Sequence, residues 1–146
     1  MLVKDIVERI EKRIPKCWAE EWDNPGLLVG DPEEDVKAVA VALNATPDTV
    51  LNAANACCNL LVTHHPLIFH PLKSVTAETI VGCTVIAAIK NNVALYGAHT
   101  NWDFSPEGVN VILASRLGLQ NIEPLAPAKN GAWGVFAAGD LPEPIK

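Results

Sequence analysis

The sequence has no run of lysine or arginine, and its 11 basic residues are outnumbered by 17 acidic ones, for a formal net charge of -6 at pH 7. Gripping a phosphate backbone needs a basic face, so nucleic acid is excluded as a general partner. Isolated positions such as Lys73 and Arg116 do not make one. Apolar stretches are short as well. The longest, such as Val36 to Leu43 with Lys37 inside it, fall far below the roughly 20 residues of a bilayer span, so no membrane partner is expected. The opening MLVKDIVERIEKR alternates charged and apolar residues and lacks the apolar block and cleavage site of a signal peptide. A cytoplasmic protein is the expectation. The cysteines, Cys17, Cys57, Cys58 and Cys83, contain no CxxC pair, so they are read as buried reduced thiols rather than a zinc-thiolate or redox site. There is also no GxxxxGK[ST], no GxGxxG after a strand and no GxSxG elbow.

What is present is a chain of 146 residues, 49% hydrophobic and 19% charged, which suits one folded domain with its own core. Leu2, Val3, Ile6, Val7, Ile10 and Ile14 follow helical spacing, and Pro15 ends that amphipathic helix. Pro25-Gly26, in Trp22-Asp23-Asn24-Pro25-Gly26, suits the centre of a type II turn. Val36 to Leu43 reads as a strand buried on both faces. Thr46-Pro47-Asp48 supplies an N-cap, a compatible first position and an early acid for a helix to about Cys57.

The unit then repeats. A strand is expected at Leu60 to Thr63, a helix around Glu78 to Lys90, and a strand at Val93 to Ala98. A last helix is expected from Ser105-Pro106-Glu107 to Gly118. Strands alternating with helices imply an α/β fold with a parallel sheet, whose right-handed crossovers put the strand C-terminal ends on one edge. Ligands of open α/β sheets bind outside that edge.

Polar residues gather there: Asn44 and Thr46 after the first strand, His64 and His65 after the second, His99 and Asp103 after the third. Pro66 keeps His65 extended, and neighbouring side chains of an extended chain point to opposite sides. His64 and His65 are thus expected to serve two ions, or one ion and one hydrogen-bond partner. His99 and Asp103, four residues apart, share one face if the segment makes a helical turn. Imidazole with carboxylate suits zinc, manganese, iron or cobalt better than calcium. His70 follows Leu67-Ile68-Phe69 and is read as a loop or core residue. Trp18, Trp22, Trp102 and Trp133 could stack on a base, although large aromatics more often pack.

Three blocks together resemble the Nif-three-like family, whose members are described as GTP cyclohydrolase I type 2 homologues. They are Trp22-Asp23-Asn24-Pro25-Gly26-Leu27-Leu28-Val29-Gly30-Asp31, Leu61-Val62-Thr63-His64-His65-Pro66-Leu67-Ile68-Phe69, and His99-Thr100-Asn101-Trp102-Asp103. The resemblance implies a three-layer α/β lobe, the first of two, and toroidal homohexamers with a site for two divalent metal ions in the cleft between lobes. It makes His64, His65 and Asp103 metal ligands, with His99 a further ligand or a proton shuttle in catalysis. It implies a metal-dependent hydrolase whose small-molecule substrate is a nucleotide or phosphorylated heterocycle. The alternatives are a metal-binding interaction protein without turnover, or a truncated fragment with an incomplete site.

Two departures stand out. The family's C-terminal His and Glu ligands have no counterpart in this sequence, so residues 1–146 are expected to be one N-terminal lobe, with 131–146 leading towards a second. Asn44 stands where many members have Asp.

Overall fold

The computed structural model describes residues 1–128 and 131–142. Helix α1, Val3–Arg13, opens the chain, with the Asp5 carboxylate accepting from the Leu2 amide at its first turn. A 3-10 turn at Lys16–Trp18 follows Pro15. Strand β1 spans Gly26–Val29, β2 Val39–Asn44, and α2 Pro47–Asn55. Strand β3 spans Leu60–His65, α3 Ile80–Lys90, and β4 Ala94–Gly97. Then come the one-turn α4, Thr100–Asp103, α5, Val109–Arg116, and two short strands, β5 at Gln120–Glu123 and β6 at Ala138–Asp140.

The main sheet has the order β1-β4-β3-β2, with β2, β3 and β4 parallel and β1 antiparallel on β4. Alternation along the strands sends side chains to two helix-covered faces. On one face Leu61, Leu95 and Ala88 of α3 form a core with Val50 of α2. On the other, Leu60, Ala94 and Tyr96 pack against Val3, Ile6, Val7 and Ile10 of α1. The result is the expected three-layer α/β arrangement. β5 and β6 form a separate antiparallel pair. Residues 138–140, inside the stretch read as a lead towards a second lobe, are thus a paired strand; residues 143–146 of that stretch lie outside the described residues.

Several expectations need correction. β2 is an edge strand, so it is not buried on both faces: Val39, Val41 and Leu43 are 42%, 74% and 61% exposed. Pro25-Gly26 does not turn the chain; Gly26, at φ +124, begins β1, and the turn lies just before it, where the Asp23 amide donates to Glu20 carbonyl. The last helix begins at Val109, because the Ser105 carbonyl and hydroxyl accept from Gly108 and Glu107 amides and hold a tight turn. Gly118 does follow its end, at φ +80. The cysteines are not buried: Cys17 and Cys57 are exposed, Cys58 and Cys83 half-buried, and no disulfide joins the four. The α2 helix ends at Asn55, and a left-handed turn at Cys57 (φ +57) carries that residue to the surface.

Candidate metal centre

Parallel pairing sets the site. Thr63 lies beside Gly97 and Asn44 beside His65, so β2, β3 and β4 all finish on one edge. His64 and His65 end β3, and His99 precedes α4. One nitrogen from each of these three histidines lies within 4.8 Å of the others. The two neighbouring rings therefore do not diverge as an extended chain would make them; their centroids are 4.9 Å apart. The Thr63 hydroxyl donates to the His65 carbonyl at 2.9 Å, a local bond that curls the strand end before Pro66.

Each ring is anchored from behind. His64 Nδ1 meets the Ala98 carbonyl at 3.0 Å, His65 Nδ1 meets Asn44 Oδ1 at 2.6 Å, and His99 Nδ1 meets Asp23 Oδ1 at 2.8 Å. An acceptor at Nδ1 places the ring proton there and leaves Nε2 as a lone-pair donor. Three such rings are what a transition-metal site requires, since outer acceptors fix both tautomer and orientation. Asp103 adds a carboxylate, its Oδ1 lying 3.7 Å from His64 Nε2. The donor set of imidazoles and one carboxylate fits zinc, manganese, iron or cobalt.

Asp23 is the residue that sequence reasoning passed over. Its side chain is fully buried and serves two tasks. One oxygen takes the His99 ring; the other accepts from the Thr100 amide at 3.0 Å and from the Thr100 hydroxyl, capping α4. Burial pushes its pKa up, but the bonds from Thr100, His99 and Asn24 outweigh that and hold it below the ordinary carboxylate value. The signal was present in Trp22-Asp23-Asn24-Pro25-Gly26, but His99 lies 76 residues away in the chain. Asn101, fully buried, fixes the same corner by accepting from the His99 amide and donating to the Ile14 carbonyl.

Electrostatics favour a cation here. Burial raises the Asp103 pKa, and Asp23 adds to the rise; the histidines pull the other way without cancelling it. The His65 pKa is lowered by burial and by its neighbours His64 and His99. The site thus holds a carboxylate that is costly to ionise and an imidazole that resists protonation. A bound cation would relieve the first and use the second. Around the cluster stand Trp22, Phe69 and Trp102, with ring centroids 6.2 Å (Trp22) and 6.3 Å (Phe69) from His99, and 6.2 Å (Trp102) from His64. His70 packs edge-on to Phe69 and is not among the clustered histidines.

A three-layer α/β lobe with a histidine cluster on the carboxyl edge of its parallel strands is the class that fold and site define. The chain belongs to the Duf34/NIF3 (NGG1p interacting factor 3) family, whose description matches residues 1–146. A GTP cyclohydrolase 1 type 2 homolog of Clostridium acetobutylicum is 39% identical over 124 residues, 85% of this chain and 46% of that protein. One from Staphylococcus epidermidis is 38% identical over 122 residues, 84% of this chain and 33% of its own. Among solved structures, the Bacillus cereus protein related to NIF3 superposes with a TM-score of 0.83 at 41% identity, covering 88% of this chain and 35% of that one. Reduced HcgD from Methanocaldococcus jannaschii gives 0.77 at 36% identity, covering 86% and 50%. The chain spans less than half the length of these curated relatives.

Proposed function

We propose that this chain is a divalent-metal-binding protein whose site serves hydrolysis of a nucleotide or small phosphorylated heterocycle. The observation that carries the reading is the set of three clustered imidazoles, each anchored at Nδ1. His64, His65 and Asp103 would hold the ions, two in number by the family reading, with His99 as a further ligand. Ions held there would lower the pKa of a water to near neutrality and stabilise charge on the attacked group. The chain's own part is orientation. Asp23 and Asn44 keep His99 and His65 in the donor tautomer, and the Ala98 carbonyl does so for His64. When it is not engaged as a ligand, His99 is the group placed to pass a proton, its ring held at Nδ1 by Asp23. The nucleotide preference rests on the name of the relatives, GTP cyclohydrolase 1 type 2 homolog.

The test is a hydrolysis screen with GTP and other nucleotides on chain stripped by a chelator and then reloaded with zinc, manganese, iron or cobalt. Turnover is expected to vanish on stripping and return on reloading. Turnover that survives stripping would overturn the reading.

A second reading is favoured by the exposed apolar side of β2, with Val41 74% and Leu43 61% exposed. There the ions would stabilise an assembly, such as the hexamer implied by the family, with no turnover. Stripping would then change the assembly state while no substrate is consumed.

A further inference from the structure

The adjacent thiols of Cys57 and Cys58 lie at the opposite edge of the main sheet from the histidines, just before β3 begins. Helix α2 ends there in a left-handed turn. The Cys57 amide donates to the Ala54 carbonyl and the Cys58 amide to the Ala53 carbonyl, each at 2.9 Å. Helix α3 ends by the same pair of bonds, from Asn92 to Ile89 at 3.2 Å and from Val93 to Ala88 at 2.9 Å. In both turns the residue after the helix cap is left-handed, Cys57 at φ +57 and Asn92 at φ +53. Glycine or asparagine ordinarily fills that place, because a side chain there crowds the following carbonyl. Asn92 fits the rule, and Cys57 breaks it. The turn leaves Cys57 exposed and Cys58 half-buried, with no disulfide between them. The Cys58 thiol donates to the Ala56 carbonyl at 3.7 Å, a long bond that is readily given up.

Both thiols border a cleft of about 220 Å3, whose other walls include Lys37, Ala54, Asn59 and Asn92. That volume suits a species of few atoms rather than a drug-sized molecule. Two thiols on a backbone fixed by helix-end bonds are a ready chelate, since capture by one sulfur delivers the ligand to the other. Sulfur donors select soft acceptors. A structural zinc takes four protein ligands. Among the described residues no histidine, aspartate or glutamate joins Cys57 and Cys58 in a metal-binding group; the one group of three is the histidine cluster. A cuprous ion on two thiolates favours a near-linear arrangement, which adjacent residues span poorly. Trivalent arsenic holds two sulfurs at a narrow angle and keeps an oxygen as its third ligand. We infer that Cys57 and Cys58 form a binding site for trivalent arsenic oxyacids and their organic derivatives. With arsenous acid, two As–S bonds form and two As–O bonds break. Each thiol proton leaves with a hydroxyl as water, and neither arsenic nor sulfur changes oxidation state. The site stands apart from the histidine cluster and does not rest on the hydrolase reading.

The experiment uses the intact chain, kept reduced by a phosphine so that no added thiol competes. The probe is phenylarsine oxide, whose arsenic takes two thiols and releases one water, counted by intact-mass spectrometry. A single adduct per chain is expected, with two of the four thiols lost to a thiol reagent. The adduct should survive excess glutathione, a monothiol, and be removed by 2,3-dimercaptopropanol, a dithiol. Cys57→Ser and Cys58→Ser should each weaken retention about 100-fold or more, because the second sulfur is gone. Cys17→Ser with Cys83→Ser should leave it unchanged. Cys57→Gly separates ligand binding from structure: glycine suits the left-handed turn, so the variant should melt no lower than the parent while losing the adduct. An adduct stripped from the parent by glutathione, kept by either serine variant, or lost with Cys17 and Cys83 would overturn the proposal. So would a Cys57→Gly variant that melts lower than the parent, since Cys57 would then be held there for packing.

Discussion

Asp23 and Asn44 act on the site through the rings they hold, so their replacement should be felt in metal affinity, and for Asp23 also in stability, because its second oxygen caps α4. Asp23→Asn keeps the shape but weakens the acceptor behind His99, and should lower zinc affinity about 10- to 100-fold in chelator competition. Asn44→Asp should act in the opposite direction, because a carboxylate at Nδ1 makes His65 a stronger donor. Asp103 shows how function and stability oppose each other. Its raised pKa means that the folded state holds the proton more tightly, a stabilisation present below pH 3.8 and lost as pH rises through the raised value. At neutral pH the metal-free chain therefore carries a buried charge at a cost. Asp103→Asn should raise the melting temperature of metal-free protein and abolish the further rise on adding zinc. His65 has the reverse sign. With its folded pKa below 6.5, the unfolded chain takes up the proton first as pH falls, so stability drops below about pH 6.5. Metal should be released in the same direction, since protons compete for the same nitrogens. Melting curves of metal-free protein across that pH range check this, and His65→Gln should flatten the slope.

At the scale of elements, the helices and parallel strands were legible because local chemistry announces them. Thr46 is the clearest case: its hydroxyl accepts from the Thr49 amide at 3.1 Å, and Pro47 follows at the first helical position. Thr46→Ala should cost about 1 kcal/mol in denaturant unfolding, with little effect on metal binding. The antiparallel β1 was not legible. It has four residues, begins at a glycine after a proline, and gains its pairing only from β4, some 70 residues later. β5 and β6, of four and three residues, carry too little pattern to be read as strands. Of the site, the four metal-binding candidates were visible as residue types at strand ends. Their approach was misjudged, because the curl that brings His64 beside His65 comes from a Thr63 hydroxyl bond that no periodicity encodes. The anchors behind the rings depend on sheet register and a 76-residue separation, which lie beyond sequence spacing.

For the whole molecule, the unfinished feature is the edge of the main sheet. β2 pairs with β3 alone, and Val39, Val41 and Leu43 present an apolar row with no charge between them. Such an edge invites pairing with further strands. Val41→Lys places a charge on the exposed side without disturbing the covered one. If this edge drives self-association, light scattering should show a smaller species for Val41→Lys than for the unchanged chain at equal concentration. Identical profiles would assign any self-association to another surface. Among the described residues no helix is long and apolar enough to cross a membrane.

The central claim is that this lobe holds metal through the histidine cluster and Asp103. Elemental analysis of the purified chain, beside His64→Ala and Asp103→Ala, tests it most directly. About one or two tightly held transition-metal ions per chain, lost in both variants, are expected. An unchanged metal content in the variants, or none in the parent chain, would contradict it.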